Sequence, residues 1–262
     1  VRSLLTIPSK PGVVFGATDR GLYKSENSGY DWTPVESPLS RYAVWSLAAD
    51  PQNPDVLFAG TGTPTPATSF KSTDGGQSWE ERKVPMAESC PAVGTPRILQ
   101  IAVDPGNSAN LWMSVEVDGF RYSRDGGDSW QRLEGATNNP DGHSVLVTSG
   151  PPKSVFIVVN NEVFRSTDDG ATWAPIHVKE TFPWGHTRMI AAQPSKPETL
   201  FVAIGDATPG RTGTIMRSRD TGQTWQRLSL GTEPNSAMWR VAMEPENPDV
   251  VFAASRFGYL YR

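Results

Sequence analysis

The chain has 262 residues, a formal net charge of −4 and a single cysteine. Its Lys and Arg residues are scattered rather than massed, which argues against nucleic acid or an anionic membrane surface as the main partner. No apolar run approaches the roughly 18–20 residues that span a bilayer, so we expect no membrane insertion, and no signal peptide is visible. Cys90 is alone, which excludes an intramolecular disulfide and leaves a cytoplasmic or a secreted location open.

Pairs of short apolar runs separated by a Pro-rich turn recur along the chain. The first is LTIPSKPGVVFGAT, and its counterparts are VWSLAADPQNPDVLFAGT, RMIAAQPSKPETLFVAIG and WRVAMEPENPDVVFAAS. Short continuous apolar runs of this kind are typical of strands that are buried on both faces. A third strand is predicted in GLYKS, SFKS, FRYS, EVFRS and TIMRS. No segment predicts a helix of useful length.

A motif with Ser, Asp, Gly and Trp at constant offsets follows each third strand. Its copies are SENSGYDW, STDGGQSW, SRDGGDSW, STDDGATW and SRDTGQTW. The final Trp residues are Trp32, Trp79, Trp130, Trp173 and Trp225, so the spacings are 47, 51, 43 and 52 residues. This period matches the length of a four-stranded propeller blade.

The residue types of this motif predict a turn whose backbone N–H groups are hydrogen-bonded by side chains of the motif itself. The Asp carboxylate is expected to accept hydrogen bonds from the backbone N–H groups of the turn. The Gly present in every copy is expected to adopt a positive φ, where a side chain would clash. In the first copy Asn27 replaces Asp, and the amide permits the same turn chemistry. The motif is therefore interpreted as structural rather than as a calcium or catalytic site.

The pattern S-x-D-x-G-x-x-W at blade spacing resembles the Asp-box repeat, also called the BNR or sialidase-like repeat. The resemblance covers essentially the whole chain. It implies a β-propeller fold, but Asp-box families include sialidases, xyloglucan-type endoglucanases, sortilin-like receptors and a photosystem assembly factor, so it does not imply one activity. True sialidase activity is not expected, because PRIL at 96–99 only faintly echoes the sialidase Phe-Arg-Ile-Pro start and no Tyr–Glu nucleophile pair is visible.

We predict an all-β fold, a single β-propeller domain over residues 1–262. Its six blades are predicted at residues 1–40, 41–93, 94–140, 141–183, 184–235 and 236–262. The sixth segment stops at RFGYLYR, where another Asp box is expected, so this blade is one strand short and leaves an open edge. Three alternatives follow: the natural chain continues beyond Arg262, the last blade keeps three strands, or a seventh blade follows.

Alignment of the first strands of the blades predicts where a ligand site lies. The position two residues before Trp45 is occupied in successive blades by Ala43, Arg97, His143, His186 and Ala237. The position of Trp45 itself is occupied by Arg2, Trp45, Leu99, Val145, Arg188 and Trp239. Since equivalent positions of adjacent blades are neighbours, we expect His143 and His186 to converge near the central funnel. The adjoining loops add Glu116, Asp118, Trp184, Asp206 and Arg211.

We predict that this set forms the site of a carbohydrate- or small-molecule-active enzyme, a hydrolase or lyase of glycosidase type. Arg side chains would bind a substrate carboxylate while His or a carboxylate performs acid–base chemistry. A carboxylate pair such as Glu116 with Asp118 or Asp206 suits glycoside hydrolysis. The predicted catalytic residues are Arg97, Glu116, His143, His186, Arg188 and Asp206. The predicted substrate contacts are Trp45, Asp118, Trp184, Arg211 and Trp239.

Two alternatives stay open at this stage. His143 and His186 would ligate a divalent metal with help from Glu116 or Asp206, although the sequence requires no cofactor. Alternatively, the propeller is a non-catalytic platform for a protein or glycan partner. In that case Trp45, Trp184 and Trp239 serve as recognition aromatics.

Overall fold

The structure is a computed structural model that describes residues 1–90, 94–244 and 247–262. Its strands form six antiparallel sheets, and within each sheet the strands pair in chain order. The described residues separate into two compact units, Val1–Gly142 and His143–Arg262.

The first unit contains three four-stranded sheets, which correspond to the first three predicted blades. The first sheet consists of β1 (Ser3–Thr6), β2 (Val14–Thr18), β3 (Gly21–Ser25) and β4 (Thr33–Pro34). The second consists of β5 (Val44–Ala49), β6 (Leu57–Thr61), β7 (Ser69–Ser72) and β8 (Glu80–Arg82). The third consists of β9 (Arg97–Val103), β10 (Leu111–Glu116), β11 (Gly119–Ser123) and β12 (Gln131–Arg132).

The second unit contains two four-stranded sheets and one three-stranded sheet. The fourth sheet consists of β13 (Gly142–Val147), β14 (Val155–Val159), β15 (Glu162–Ser166) and β16 (Ala174–Pro175). The fifth consists of β17 (His186–Gln193), β18 (Lys196–Gly205), β19 (Gly213–Ser218) and β20 (Gln226–Arg227). The last consists of β21 (Met238–Met243), β22 (Val251–Ser255) and β23 (Leu260–Tyr261).

The second strands of the blades carry much of the core. Every residue of β6 and of β14 is buried, which explains why both read as continuous apolar runs rather than as alternating patterns. Adjacent sheets of one unit also touch closely. A Cβ atom on Gly60 would lie 2.3 Å from Cγ2 of Ile98, so only glycine fits between these strands.

The Asp motifs form the turns that the sequence predicts. Oδ1 of Asp74 accepts hydrogen bonds from the backbone N–H groups of Gln77 and Ser78, both at 2.9 Å. The hydroxyl of Ser72 donates to the same oxygen at 2.8 Å. All five motif glycines have φ between 82° and 89°, as expected: Gly29, Gly76, Gly127, Gly170 and Gly222. The motif carboxylate is thus committed to its own turn.

The structure confirms the predicted fold class. The chain is an all-β propeller with six blades, of which the last has three strands in the described residues. The helices described are single turns, a 3-10 turn at Pro38–Arg41 and α1 at Val178–Thr181. No helix among the described residues has the length and apolar character needed to cross a membrane. The assignment of residues 1–262 to one domain stays a prediction.

Candidate functional site

In the first unit, Arg97 and Glu116 are joined by an ion pair at the ends of two paired strands. Arg97 begins β9 and Glu116 ends β10, and their Cα atoms are direct partners across the ladder. Nη2 of Arg97 lies 2.5 Å from Oε2 of Glu116. The Glu116 side chain is only 14% exposed, so the carboxylate end of this charge-assisted pair is largely shielded from water. Two residues of the predicted catalytic set are therefore in contact.

Trp45 supports the guanidinium group of Arg97. Cζ of Arg97 lies 4.8 Å from the centroid of the Trp45 ring, and Cζ of Arg2 lies 4.0 Å from it. Both distances are within the range of cation–π interactions. In the structure the Trp45 ring contacts two guanidinium groups, one of which is that of Arg97. The predicted contact between Trp45 and substrate stays a prediction.

Asp141 is a neighbour of Glu116 that the sequence analysis missed. One carboxylate oxygen of Asp141 lies within 4.8 Å of one carboxylate oxygen of Glu116. Asp141 is half-buried and immediately precedes β13, the innermost strand of the fourth blade. Its position just before an inner strand was the available signal. Asp141 falls outside the two strand positions compared between blades, that of Trp45 and that of the residue two before it.

In the second unit, His143 and His186 converge as the repeat predicts. Their ring centroids are 5.6 Å apart and the ring planes meet at 70°. Nδ1 of His143 lies 2.8 Å from the carbonyl oxygen of Thr187. Since a carbonyl only accepts hydrogen bonds, Nδ1 carries the proton, and in the neutral ring Nε2 carries the lone pair. His143 is buried and His186 is half-buried.

Arg188 and Trp239 repeat the arrangement of Arg2 and Trp45. Cζ of Arg188 lies 4.0 Å from the centroid of the Trp239 ring. Cζ of Arg256 lies 5.0 Å from the same centroid. The Arg188 residue is 7% exposed, so its charge is shielded from water. Trp239, like Trp45, contacts two guanidinium groups, and its predicted contact with substrate stays a prediction.

Asp118 is held by a network of its own. Its carboxylate lies 2.5 Å from Nη2 of Arg121 and 2.5 Å from Nη2 of Arg132, and it accepts the backbone N–H of Ala87 at 2.9 Å. Burial alone would raise the pKa of Asp118, but these hydrogen bonds and charges outweigh it and hold the pKa below its usual value. The nearby thiol of Cys90 donates to the carbonyl of Val117 at 3.1 Å. These contacts fasten Ala87 and Cys90 to the third blade.

Asp206 and Arg211 lie in one exposed loop after β18. Oδ1 of Asp206 accepts the backbone N–H groups of Arg211 at 2.9 Å and Thr212 at 3.3 Å. Burial would raise the pKa of Asp206, but these backbone hydrogen bonds lower it more. The carboxylate therefore shapes its own loop, and its predicted catalytic role stays a prediction.

Trp184 packs near the outer strand of the fifth blade. Cζ of Arg227, in β20, lies 4.9 Å from the centroid of its ring. Trp184 is half-buried against the apolar cluster that includes Phe182 and Ile190. The Trp184 ring is thus partly accessible, and its predicted contact with a ligand stays a prediction.

Two cavities in the second unit lie apart from these clusters. One of about 340 Å³ is lined by β19, β20 and the segment 228–234. The other, of about 560 Å³, is lined by residues such as Lys196, Arg217 and Asp249. Neither contains a residue of the predicted catalytic or substrate-binding set. The predicted site residues therefore lie around Glu116 and His143 and not in these cavities.

Comparison with known proteins places this architecture among Asp-box propellers. The family model described as "Photosynthesis system II assembly factor YCF48" matches residues 24–205. A xyloglucanase of Acetivibrio thermocellus is 22% identical over 94% of this chain and 35% of its own length. The solved structure of a GH74 enzyme of Niastella koreensis superposes with a TM-score of 0.77 at 24% identity, covering 97% of this chain and 40% of that one.

A second solved structure is described as YCF48 bound to D1 peptide. It superposes with a TM-score of 0.61 at 18% identity. The match covers 98% of this chain and 79% of that one. At these identities the solved structures show the shared fold. The chain spans about a third of the length of the xyloglucanases that it matches.

Proposed function

We propose that this chain, which belongs to the Asp-box family described as photosynthesis system II assembly factor YCF48, is a carbohydrate-active propeller that hydrolyses glycosidic bonds. The observation that carries the proposal is the carboxylate pair of Glu116 and Asp141, in which one oxygen of each lies within 4.8 Å of the other. The xyloglucanase relatives support a glycan as the substrate.

Glycoside hydrolysis needs two carboxyl groups on either side of the scissile bond. In retaining enzymes these groups are about 5–5.5 Å apart, and in inverting enzymes about 6.5–9.5 Å apart. One oxygen of Glu116 lies within 4.8 Å of one oxygen of Asp141, which is closer to the retaining spacing than to the inverting one. In that scheme Glu116 attacks the anomeric carbon while Asp141 protonates the leaving oxygen, and a water molecule deprotonated by Asp141 then displaces Glu116 from the sugar. The ion pair with Arg97 fixes the orientation of the Glu116 carboxylate.

The substrate proposed is a β-linked glucan of the xyloglucan type. The chain would be incubated with xyloglucan, cellulose oligosaccharides and an acidic glycan, and reducing ends would be measured. We expect release from xyloglucan by the wild type, and a loss of at least about 100-fold in Glu116→Gln and in Asp141→Asn. The matched control is Glu36→Gln, which changes an exposed carboxylate of the same unit.

Two results would contradict the hydrolase proposal. One is a folded wild type that releases no reducing ends from any of these glycans. The other is a Glu116→Gln or Asp141→Asn variant with the turnover of the wild type. Circular dichroism and the unfolding midpoint would establish that each variant is folded before its activity is compared.

Binding of a protein partner without catalysis is the second candidate. The family description and the relative solved with a peptide favour it. Arg256, the exposed arginine on Trp239, offers its guanidinium group to a carboxylate-bearing peptide. Fluorescence anisotropy with an acidic labelled peptide would test this candidate. Saturable binding that is weakened at least about ten-fold in Arg256→Met, with no hydrolysis of any glycan, would favour the scaffold over the enzyme.

A further inference from the structure

The glycine of an Asp box packs between two apolar side chains that come from the second strands of adjacent blades. A Cβ atom on Gly127 would lie 2.7 Å from Cε1 of Phe58, in the preceding blade, and 3.6 Å from Cδ2 of Leu111, in its own blade. The same two strand positions enclose two other box glycines: Gly76 lies between Phe15 and Leu57, and Gly222 between Phe156 and Leu200. In these three pairs of blades the second strands therefore form a seat for the turn.

A cation beside the seat holds the same turn by its charge. Lys71 is the direct cross-strand partner of Phe58, and its Nζ lies 3.0 Å from Oδ1 of Asp128, the residue that follows Gly127. Trp130 ends this Asp box and is buried in the apolar cluster that includes Phe58. The third-blade turn is thus held on the second blade by its glycine, by an acidic side chain and by its tryptophan.

The fifth and sixth blades turn the same strand positions toward a cavity. Phe201 and Val251 occupy the two positions that enclose a box glycine elsewhere, and both line the cavity of about 560 Å³ in the second unit. Val251 is only half-buried, whereas Leu111 at the same position of β10 is buried. Arg217 is the cross-strand partner of Phe201, so it takes the place that Lys71 has in the second blade. The five Asp boxes of the chain belong to the first five blades, so none of them fills this seat.

The cavity carries an excess of positive charge. Of the described residues that line it, four are cationic and two acidic: Lys196, Arg217, Arg219 and Arg262 against Glu198 and Asp249. Nε of Arg217 is enclosed by protein and has no hydrogen-bond partner among the described residues. Burial lowers the pKa of Arg217, and the nearby charge of Arg219 lowers it further. An acidic side chain placed here, as Asp128 is beside Lys71, would offset this repulsion.

We propose that this cavity and the outer edge of β23 form a docking surface for a partner polypeptide segment that carries an Asp box of the third-blade type. Its glycine packs on Phe201, and the acidic residue after that glycine pairs with Arg217. The strand after its tryptophan pairs with β23 as β12 pairs with β11. Addition of a strand to an open sheet edge is a common mode of peptide recognition. The surface contains no residue of the predicted catalytic set, so it stands or fails independently of hydrolysis.

The test is fluorescence anisotropy with a labelled peptide that copies residues 123–133, SRDGGDSWQRL. Two further peptides carry Gly127→Val or Asp128→Asn. The proteins compared are the wild type, Arg217→Gln and the control Lys179→Gln, which changes an exposed cation on α1 in the same unit. Circular dichroism would establish that each protein is folded. The two variant peptides are measured on the wild type, so the test stays valid even where Arg217→Gln fails to fold.

We expect the unchanged peptide to bind the wild type and Lys179→Gln saturably and with equal affinity. The Gly127→Val peptide should bind at least about ten-fold more weakly, because its side chain meets the Phe201 ring and disfavours the positive φ of the turn. Asp128→Asn and Arg217→Gln should each weaken binding at least about three-fold, and together no more than either alone, since both remove the same ion pair.

Three results would overturn the docking surface. The first is no saturable binding of the unchanged peptide by the wild type, or equal binding of the Gly127→Val peptide. The second is displacement of the peptide by an equal concentration of inorganic phosphate, which would identify a site for small anions instead. The third is self-association of the wild type that Arg217→Gln abolishes, which would identify a second copy of the chain as the occupant.

Discussion

The guanidinium carbon of Arg188 lies 4.0 Å from the centroid of the Trp239 ring. Arg2 and Trp45 show the same distance in the first unit. In both units the arginine and the tryptophan occupy the same position of successive inner strands. The repeat therefore generates the same cation–π stack twice, and each stack fixes a positive charge close to the predicted site residues.

The Arg188–Trp239 stack should contribute measurably to stability. A double-mutant cycle with Arg188→Met and Trp239→Leu, followed by urea unfolding, is expected to give a coupling energy of about 1–2 kcal/mol, because Arg188 is largely desolvated. The equivalent cycle with Arg2→Met and Trp45→Leu should give about 0.5 kcal/mol, since the Arg2 side chain is 39% exposed. Coupling near zero at Arg188 would show that the stack is only a packing contact.

Asp118 should be more important for stability than for turnover. Asp118→Asn leaves the Arg121 side chain, which is 0% exposed, without its ionised partner. Removing one member of a buried ion pair typically costs about 3–5 kcal/mol. Unfolding in urea at pH 7 should show a loss of this size. A variant as stable as the wild type would contradict the anchoring role.

We also expect the stability difference between the wild type and Asp118→Asn to depend on pH. The pKa of Asp118 is lowered in the folded protein, so its stabilisation is complete above the ordinary Asp value of about 4. The stabilisation is lost as the pH falls from that value toward the folded pKa. The stability difference between the wild type and Asp118→Asn should therefore shrink in acid. A difference that stays constant down to pH 3 would argue against the ionised pair.

In the first Asp box, one hydrogen bond of the turn has its donor and acceptor exchanged relative to the third box. Nδ2 of Asn27 donates to Oδ2 of Asp31 at 2.8 Å. In the third box the hydroxyl of Ser129 donates to Oδ2 of Asp125 at 2.6 Å, so the charged residue stands at the other end of the contact. The Ser129 and Ser123 contacts lower the pKa of Asp125 to about 2. The exchange at Asn27 and Asp31 therefore preserves one charge per turn.

Asn27→Asp should destabilise the protein by about 1 kcal/mol, since it places two carboxylates where one amide and one carboxylate now bond. The double variant Asn27→Asp, Asp31→Ser recreates the polarity of the other boxes and should recover most of this loss. Thermal unfolding midpoints of the two variants and the wild type would measure both effects. A double variant less stable than Asn27→Asp alone would disprove the exchange.

The fold was predictable from the sequence because its signals are local and repeated. Ser, Asp, Gly and Trp at constant offsets encode a turn whose hydrogen bonds are all made within about eight residues, as Asp74 and Gly76 show. The apolar run that contains β6 correctly indicated a strand buried on both faces. The convergence of His143 and His186 was also predictable, because equivalent positions of adjacent blades are neighbours.

The roles of the carboxylates could not be read from the sequence in the same way. Asp118 and Glu116 look alike in EVDG, two residues apart, yet one is held by Arg121, Arg132 and the N–H of Ala87, and the other by Arg97. Asp141 became a candidate only through its distance to Glu116. Local sequence determined the turns and strands, because their bonds form between near neighbours. Tertiary structure decided which carboxylates meet and which are already engaged, because those partners come from distant positions in the chain.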